Sequence, residues 1–191
     1  ARDGRRLVGG KPGFMSGFVE PVSLTGQRWV ALEPLAREHL PEITKAAADG
    51  ELGSLWFTNA PKAGTVEQWV DTRLASQKPD EGLTFVVRNL DGTLIGSSSY
   101  HDIVPAVERL EIGYTWYAKS RQRTHVNASA KLLLMQHAFE TLGARLVGWR
   151  TDNFNFASQR AIERLGARKD GVLRHHAVRR DGTIRDTVMY S

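Results

Sequence analysis

The 191-residue sequence contains no cysteine. A chain without cysteine has no disulfide, no thiolate nucleophile and no cysteine-ligated zinc. It also lacks any apolar run near the roughly 18 residues of a membrane-spanning helix, and no segment resembles a secretory signal. We therefore expect a soluble cytoplasmic protein with no membrane partner.

The sequence also has little excess of one charge over the other outside its first residues. The formal net charge is +5, but residues 1–11 supply +3 of it, and the other 180 residues hold 22 basic and 20 acidic side chains with the signs interspersed. We expect residues 1–12 to be a disordered or vector-derived tail, and residues 13–191 to be one domain. Nucleic acid is not an expected partner, because its binders need a basic face; a steep salt dependence of DNA or RNA binding would reopen that interpretation.

The motifs of several enzyme classes are missing. The sequence has no Walker loop, no G-x-G-x-x-G after a strand, no H-E-x-x-H and no G-x-S-x-G. Of six histidines only His175 and His176 are adjacent, and neighbours in a strand point to opposite faces. We therefore expect no metal site.

The hydrophobic period changes along the chain, from helical in the first third to alternating after residue 83. The predicted elements are strand 27–32, helices 42–48 and 65–74, strands 84–88, 93–102 and 109–117, helix 127–142, strand 146–150, helix 156–165, and strands 171–179 and 184–190. In strand 109–117, alternation puts Leu110, Ile112, Tyr114 and Trp116 on one face. Helix 127–142 is apolar on more than one stripe, so we expect it to be deeply packed. The whole is an α+β domain, a mostly antiparallel sheet flanked by helices.

The polar loop before the longest predicted helix is the most informative segment. The unpaired N–H groups and positive dipole end of a helix N-terminus attract phosphate, and Gln122, Arg123, Thr124 and Asn127 would line that site. An ordinary polar loop between a strand and a helix would have the same local features.

Three motifs follow one another here: Glu111-Ile112-Gly113-Tyr114 in a strand, Arg121 to Asn127 before a helix, and Asn155-x-x-Ser158 leading to Leu165-Gly166. Together they resemble the GNAT acetyltransferase superfamily, and within it the RimJ/RimL type, over residues 27–191. The resemblance implies a GNAT-like mixed sheet whose central strands splay apart around acetyl-CoA. It also implies direct transfer of acetyl to a primary amine, of a protein N-terminus or of a small molecule.

The resemblance also implies which residues bind the cofactor. The pyrophosphate would lie on Gln122, Arg123, Thr124, His125, Val126 and Asn127. Asn155 would bind the pantetheine arm, and the backbone of Thr115, Trp116 and Tyr117 would polarise the thioester. His125 stands where the family usually has Gly, and Asn127 where it has Gly or Ala. Glycine allows close backbone approach to phosphate, whereas a His or Asn side chain can donate a hydrogen bond to it.

By the same resemblance, Ser158 is the acid that protonates the leaving thiolate. Glu111 is the base, or holds a catalytic water. Each residue has a structural alternative: Ser158 could bond a carbonyl one helical turn back, and Glu111 could pair with Arg109 or Arg150. Many relatives have Tyr four positions after Ser158, where this chain has Ile162, and this favours the RimJ/RimL type.

The acceptor is the part least defined by the sequence. An α-amino group has a pKa of about 8 and a lysine amine about 10.4, so an N-terminus or a small amine of low pKa is the easier target. Trp56, Phe57, Trp69 and His101 would wall its pocket or belong to the core. The alternative function is a non-catalytic acyl-CoA-binding or regulatory module. An exposed strand edge would permit a homodimer.

Overall fold

The structure, a computed structural model, describes residues 19–26, 29–50 and 52–191. Its strands are β1 (Val30–Pro34), β2 (Gly82–Asn89), β3 (Leu94–Val104), β4 (Arg109–Tyr117), β5 (Leu146–Asp152), β6 (Lys169–Val178) and β7 (Ile184–Tyr190). Its helices are α1 (Leu40–Ala48), α2 (Val66–Ala75), α3 (Val126–Gln136), which continues as a π turn at His137–Thr141, and α4 (Phe156–Arg164). The predicted tail at 1–12 and the first two residues of the predicted strand 27–32 lie outside the described residues.

The strands form one sheet in the order β1-β2-β3-β4-β5-β7-β6. Every neighbouring pair is antiparallel except β4 and β5, which run parallel. That parallel pair is short, because only Arg109–Glu111 and Leu146–Gly148 are in register. Beyond these residues β4 pairs with β3 alone and β5 with β7 alone. The predicted mixed, mostly antiparallel sheet with splayed central strands is therefore confirmed.

Helices cover both faces of this sheet. On one face α3 and α4 pack on strand side chains in a core that includes Phe85, Tyr100 and Leu110. The Tyr100 hydroxyl donates a 2.6 Å hydrogen bond to the Leu134 carbonyl and fixes α3 on β3. On the other face α1 and α2 pack in a second core that includes Val86.

The alternation predicted for β4 fails at a β-bulge. Between the register pairs Ser99–Gly113 and Ser97–Trp116, β4 has one residue more than β3. Tyr114 takes up the extra residue with a φ of 49° and is 39% exposed. One inserted residue reverses the side-chain phase, so Trp116 packs on the α2 face instead of beside Leu110. The prediction that Leu110, Ile112, Tyr114 and Trp116 share one face was therefore wrong beyond Ile112.

The longest helix also differs from its prediction. It begins at Val126, and Gly143, with a φ of 73°, follows its last turn as expected. Leu133, Leu134 and Ala138 are buried, but Leu132 and Phe139 are exposed. The expectation that a helix apolar on more than one stripe is deeply packed was wrong at Leu132 and Phe139, because only one side of α3 faces the sheet. None of the described helices is both long and apolar enough to cross a membrane.

Candidate active site

The cleft between β4 and β5 gathers most of the predicted site residues. Because the two strands are parallel, the segments that follow them leave the sheet at the same edge. The segment after β4 leads to the N-terminus of α3, and the segment after β5 to the N-terminus of α4. Both helices then pack on the same face of the sheet. The predicted pyrophosphate loop and the Asn155-x-x-Ser158 motif therefore follow adjacent strands at the same edge of the sheet.

The predicted pyrophosphate loop has a defined conformation. The Gln122 amide donates to the Tyr117 carbonyl at 3.2 Å, and the Thr124 hydroxyl accepts from the Val126 N–H at 3.3 Å. Arg123 has a φ of 59°, and the side chains of Arg123, Thr124 and His125 are exposed. The Thr124 hydroxyl donates its hydrogen to the Arg121 carbonyl at 2.7 Å, so Arg123 and His125 have the side chains that can donate to an anion at the N-terminus of α3.

Asn155 and Ser158 are linked by a helix cap. Asn155 is the N-cap of α4, and its Oδ1 accepts a 3.1 Å hydrogen bond from the Ser158 N–H. The cap gives Asn155 a structural role, but because its donor is a backbone N–H it does not require a serine at position 158. Within the described residues the Ser158 hydroxyl has no hydrogen-bond partner, so it does not bond the carbonyl one turn back. A free, half-buried hydroxyl can act on a ligand in the cleft.

Glu111 is held in an ion-pair network. Its side chain is 1% exposed, and both carboxylate oxygens accept hydrogen bonds from Arg150 at 2.6 Å. Arg109 approaches to 3.6 Å and His101 to 4.0 Å. The hydrogen bonds to Glu111 raise the pKa of Arg150. The ion pair considered as an alternative is thus present, and each carboxylate oxygen still has a lone pair with which to accept from a water or an amine.

Two adjoining cavities lie beside α2. The larger, of about 490 Å³, is bounded by α2, by the segment Asn59–Lys62 and by Arg180 in the turn between β6 and β7. The smaller, of about 280 Å³, reaches from α2 to β3 and β5. Arg73 and the bulged Tyr114 line both. The bulge therefore turns a β4 side chain into the shared wall of two cavities.

The four residues predicted as acceptor walls divide into two pairs. Trp69 lines the larger cavity and packs edge-on against Trp116, with ring centroids 6.0 Å apart. His101 lines the smaller cavity, and burial followed by the charge of Arg150 lowers its pKa to about 3, so the ring is neutral at neutral pH. Trp56 and Phe57 line neither cavity. Trp56 lies 5.0 Å from the guanidinium of Arg179 instead.

Sequence reasoning missed Lys131. This side chain is 5% exposed and reaches from α3 to the sheet, where its Nζ donates to the hydroxyls of Thr115 at 2.6 Å and Ser98 at 3.0 Å. Burial lowers its pKa to about 7. The one available signal was a cation next to the apolar run that follows it in α3. Within the described residues, no group of three or more histidine and carboxylate side chains could hold a metal ion.

Comparison with known proteins relates this arrangement to a family. The sequence model described as the acetyltransferase (GNAT) domain matches residues 30–168. The uncharacterized N-acetyltransferase YoaA of Bacillus subtilis is 28% identical over 123 residues, which are 64% of this chain and 68% of that protein.

Solved structures share the fold. A GCN5-related N-acetyltransferase from Brucella melitensis is 32% identical with a TM-score of 0.80, over 92% of this chain and 80% of that one. Mycobacterium smegmatis RimJ, solved with CoA-disulfide, is 20% identical with a TM-score of 0.76, over 89% of this chain and 86% of that one.

Proposed function

The chain belongs to the GNAT acetyltransferase family, and from that premise we propose that it transfers acetyl directly from acetyl-CoA to a primary amine. The acceptor is an N-terminus or a small-molecule amine. One domain over residues 13–191 contains both the acetyl-CoA site and the acceptor site. The observation that carries the proposal is the short parallel contact of β4 and β5. It leaves a cleft with a helix N-terminus on each side.

The residues around the cleft fit acetyl-CoA. Gln122, Arg123, Thr124, His125, Val126 and Asn127 would hold the pyrophosphate. Arg123 and His125 have exposed donors there, and Asn and His replace glycine without filling the loop with apolar groups. Asn155 uses Oδ1 in its cap, which leaves its amide N–H groups for the pantetheine arm. The backbone of Thr115, Trp116 and Tyr117 follows the bulge and would face the thioester. The cofactor supplies an acyl group activated by a thiolate leaving group.

Ser158 would supply the proton to that thiolate. Its hydroxyl is free of partners among the described residues and sits in the first turn of α4. The positive end of the helix dipole stabilises a developing anion at this position.

Glu111 would hold the water that takes the proton from the attacking amine. Because Arg150 donates to both carboxylate oxygens, the Glu111 side chain is fixed in place, and it is suited to orienting a water. Arg150 is then a positioning residue, which acts through Glu111.

The proposal is tested by thermal unfolding with acetyl-CoA and by thiol release with a panel of amines. A ligand at about 100 times its dissociation constant adds about 2.7 kcal/mol to the free energy of unfolding, which at this size raises Tm by roughly 2–4 °C per kcal/mol. We expect wild type, Ser158→Ala and Glu111→Gln to show this shift. We expect both variants to release thiol at least about a hundredfold more slowly, and the exposed control Ser23→Ala to match wild type.

Two outcomes would contradict the proposal. If acetyl-CoA caused no shift in Tm, the protein would not bind this cofactor. A clear shift without thiol release from any amine would favour the alternative, a non-catalytic acyl-CoA-binding module.

A further inference from the structure

The larger cavity has an unusual charge. Among the described residues that line it, three are cationic and none is a carboxylate. Lys62 comes from the segment before α2, Arg73 from α2, and Arg180 from the turn between β6 and β7. Three separate parts of the chain thus direct positive charge into one space of about 490 Å³.

None of these cations is neutralised by a carboxylate within the described part of the chain. Arg73 lies 4.0 Å above the ring of Tyr114, and its buried Nε has no hydrogen-bond partner. Arg180 donates to two backbone carbonyls, of Gly53 at 2.5 Å and of Ala60 at 2.6 Å. Lys62 takes part in no side-chain hydrogen bond or ion pair among these residues.

The acids of α2 do not compensate this charge. Glu67 and Asp71 both pair with Arg37, and neither lines the cavity. Lys62 and Arg180 are exposed and Arg73 is half-buried. A concave surface with three cations and no carboxylate concentrates positive potential, so it repels a second amine and favours an anion.

The smaller cavity differs in its charge. Its lining includes the carboxylates Glu81 and Asp102, the cations Arg73 and Arg150 and the neutral ring of His101, and Asp102 pairs with Arg150 at 2.6 Å. It meets the larger cavity at Arg73 and Tyr114. An acceptor that spans Tyr114 would have its amine in the cavity that contains carboxylates and its other end in the cavity whose charged lining residues are all cations.

We propose that the acceptor is a small amine that also carries an anionic group, a carboxylate or a phosphate, and that Lys62, Arg73 and Arg180 bind this group. The inference rests on the proposed function, because it names the class of acceptor for that reaction. It excludes polyamines, whose second cation would enter the cationic cavity.

The test compares acceptors that differ in charge. Thiol release is measured with the standard amino acids, with the same amino acids as C-terminal amides, with O-phosphoethanolamine and with 1,3-diaminopropane, and kcat/KM is expressed per neutral amine. We expect the best anionic acceptor to exceed its amide by at least about tenfold, a difference of about 1.4 kcal/mol. Selection of O-phosphoethanolamine over the amino acids would identify phosphate as the anion, and the reverse would identify carboxylate.

Variants connect this preference to the cavity. Lys62→Gln should lower kcat/KM about tenfold for the anionic acceptors and less for the amides, and Lys62→Arg should restore most of it. Lys169→Gln removes an exposed cation in β6, outside both cavities, and should behave as wild type. A second measurement, the Tm of the CoA-saturated protein with each compound, should rise with the anionic members and lose that rise in Lys62→Gln.

The outcomes separate the two proposals. If acetyl-CoA raises Tm but anionic compounds match their amides in rate and in Tm shift, the preference for an anion is overturned and the proposed function stands. If acetyl-CoA leaves Tm unchanged and no amine releases thiol, the proposed function fails, and the acceptor class fails with it.

Discussion

At the scale of single residues, Lys131 is a buried amine with an unusual pKa. It joins α3 to β3 and β4 through the hydroxyls of Ser98 and Thr115, which also bond each other at 2.8 Å. Thr115 directly follows the bulged Tyr114, so Lys131 supports the strand where it faces the cleft. A pKa of about 7 means that burial opposes the charged form of this amine.

We expect the stability contribution of Lys131 to depend on pH. Its pKa is about 7 in the folded state against an ordinary 10.5, so between these values the unfolded chain binds a proton that the folded chain lacks. Stability therefore rises with pH across that window. Lys131→Met removes the titration, and its free energy of unfolding relative to wild type should be highest near about pH 7 and fall toward about pH 10. Urea unfolding of wild type, Lys131→Met and the exposed control Lys45→Met measures this difference. A difference that stays constant over the range would contradict it.

At the scale of elements, β4 shows what local pattern can and cannot predict. Alternating apolar residues give its bounds correctly, Arg109–Tyr117. The bulge inserts one residue without changing composition, and it depends on pairing with β3, so the alternation of a single strand does not reveal it. For the same reason, the sequence pattern did not predict which faces Tyr114 and Trp116 occupy. It therefore did not predict that Tyr114 lines both cavities.

Close approach of β3 and β4 leads to a prediction at Gly113. A Cβ on this residue would lie 2.2 Å from Nε2 of His101, a ring held between Tyr114 and Glu111. Gly113→Ala should therefore cost about 1–3 kcal/mol of stability. His101→Ala should recover part of that loss in the double variant, since the two sites are in contact. Gly171→Ala, which meets no atom within 4 Å, is the control, and urea unfolding of all four variants gives the coupling energy. Additive losses in the double variant would count against a clash with His101.

At the scale of the whole molecule, the order of elements could be predicted, but contacts between distant segments could not. The loop before α3 and the Asn155-x-x-Ser158 motif are local signals, and the sequence located both. Arg180 reaches the Gly53 carbonyl across 127 positions of sequence. Likewise, Arg73 meets Tyr114 only because α2 packs beside the bulge. No local sequence pattern indicates either contact, so the cationic cavity could not be predicted from the sequence.

The separation of β4 and β5 beyond their short parallel contact leads to a prediction for the whole molecule. Past Glu111, β4 has no β5 partner, so its cleft-facing amides lack the protection of a ladder. With saturating acetyl-CoA, hydrogen exchange should slow at residues 113–117 and at 122–127, while the pair β1–β2 at the far edge stays unchanged.

Acetyl-pantetheine, which lacks the pyrophosphate, separates the two halves of this prediction. It should slow exchange at residues 113–117 and leave 122–127 as in the free protein, because in the proposed binding mode the pyrophosphate is the group that contacts the N-terminus of α3. Exchange measured by mass spectrometry on overlapping peptides resolves these segments. If acetyl-CoA instead protected only residues 59–73, around the larger cavity, the cofactor would lie on the α2 side of the sheet. The cleft between β4 and β5 would then have to hold the acceptor.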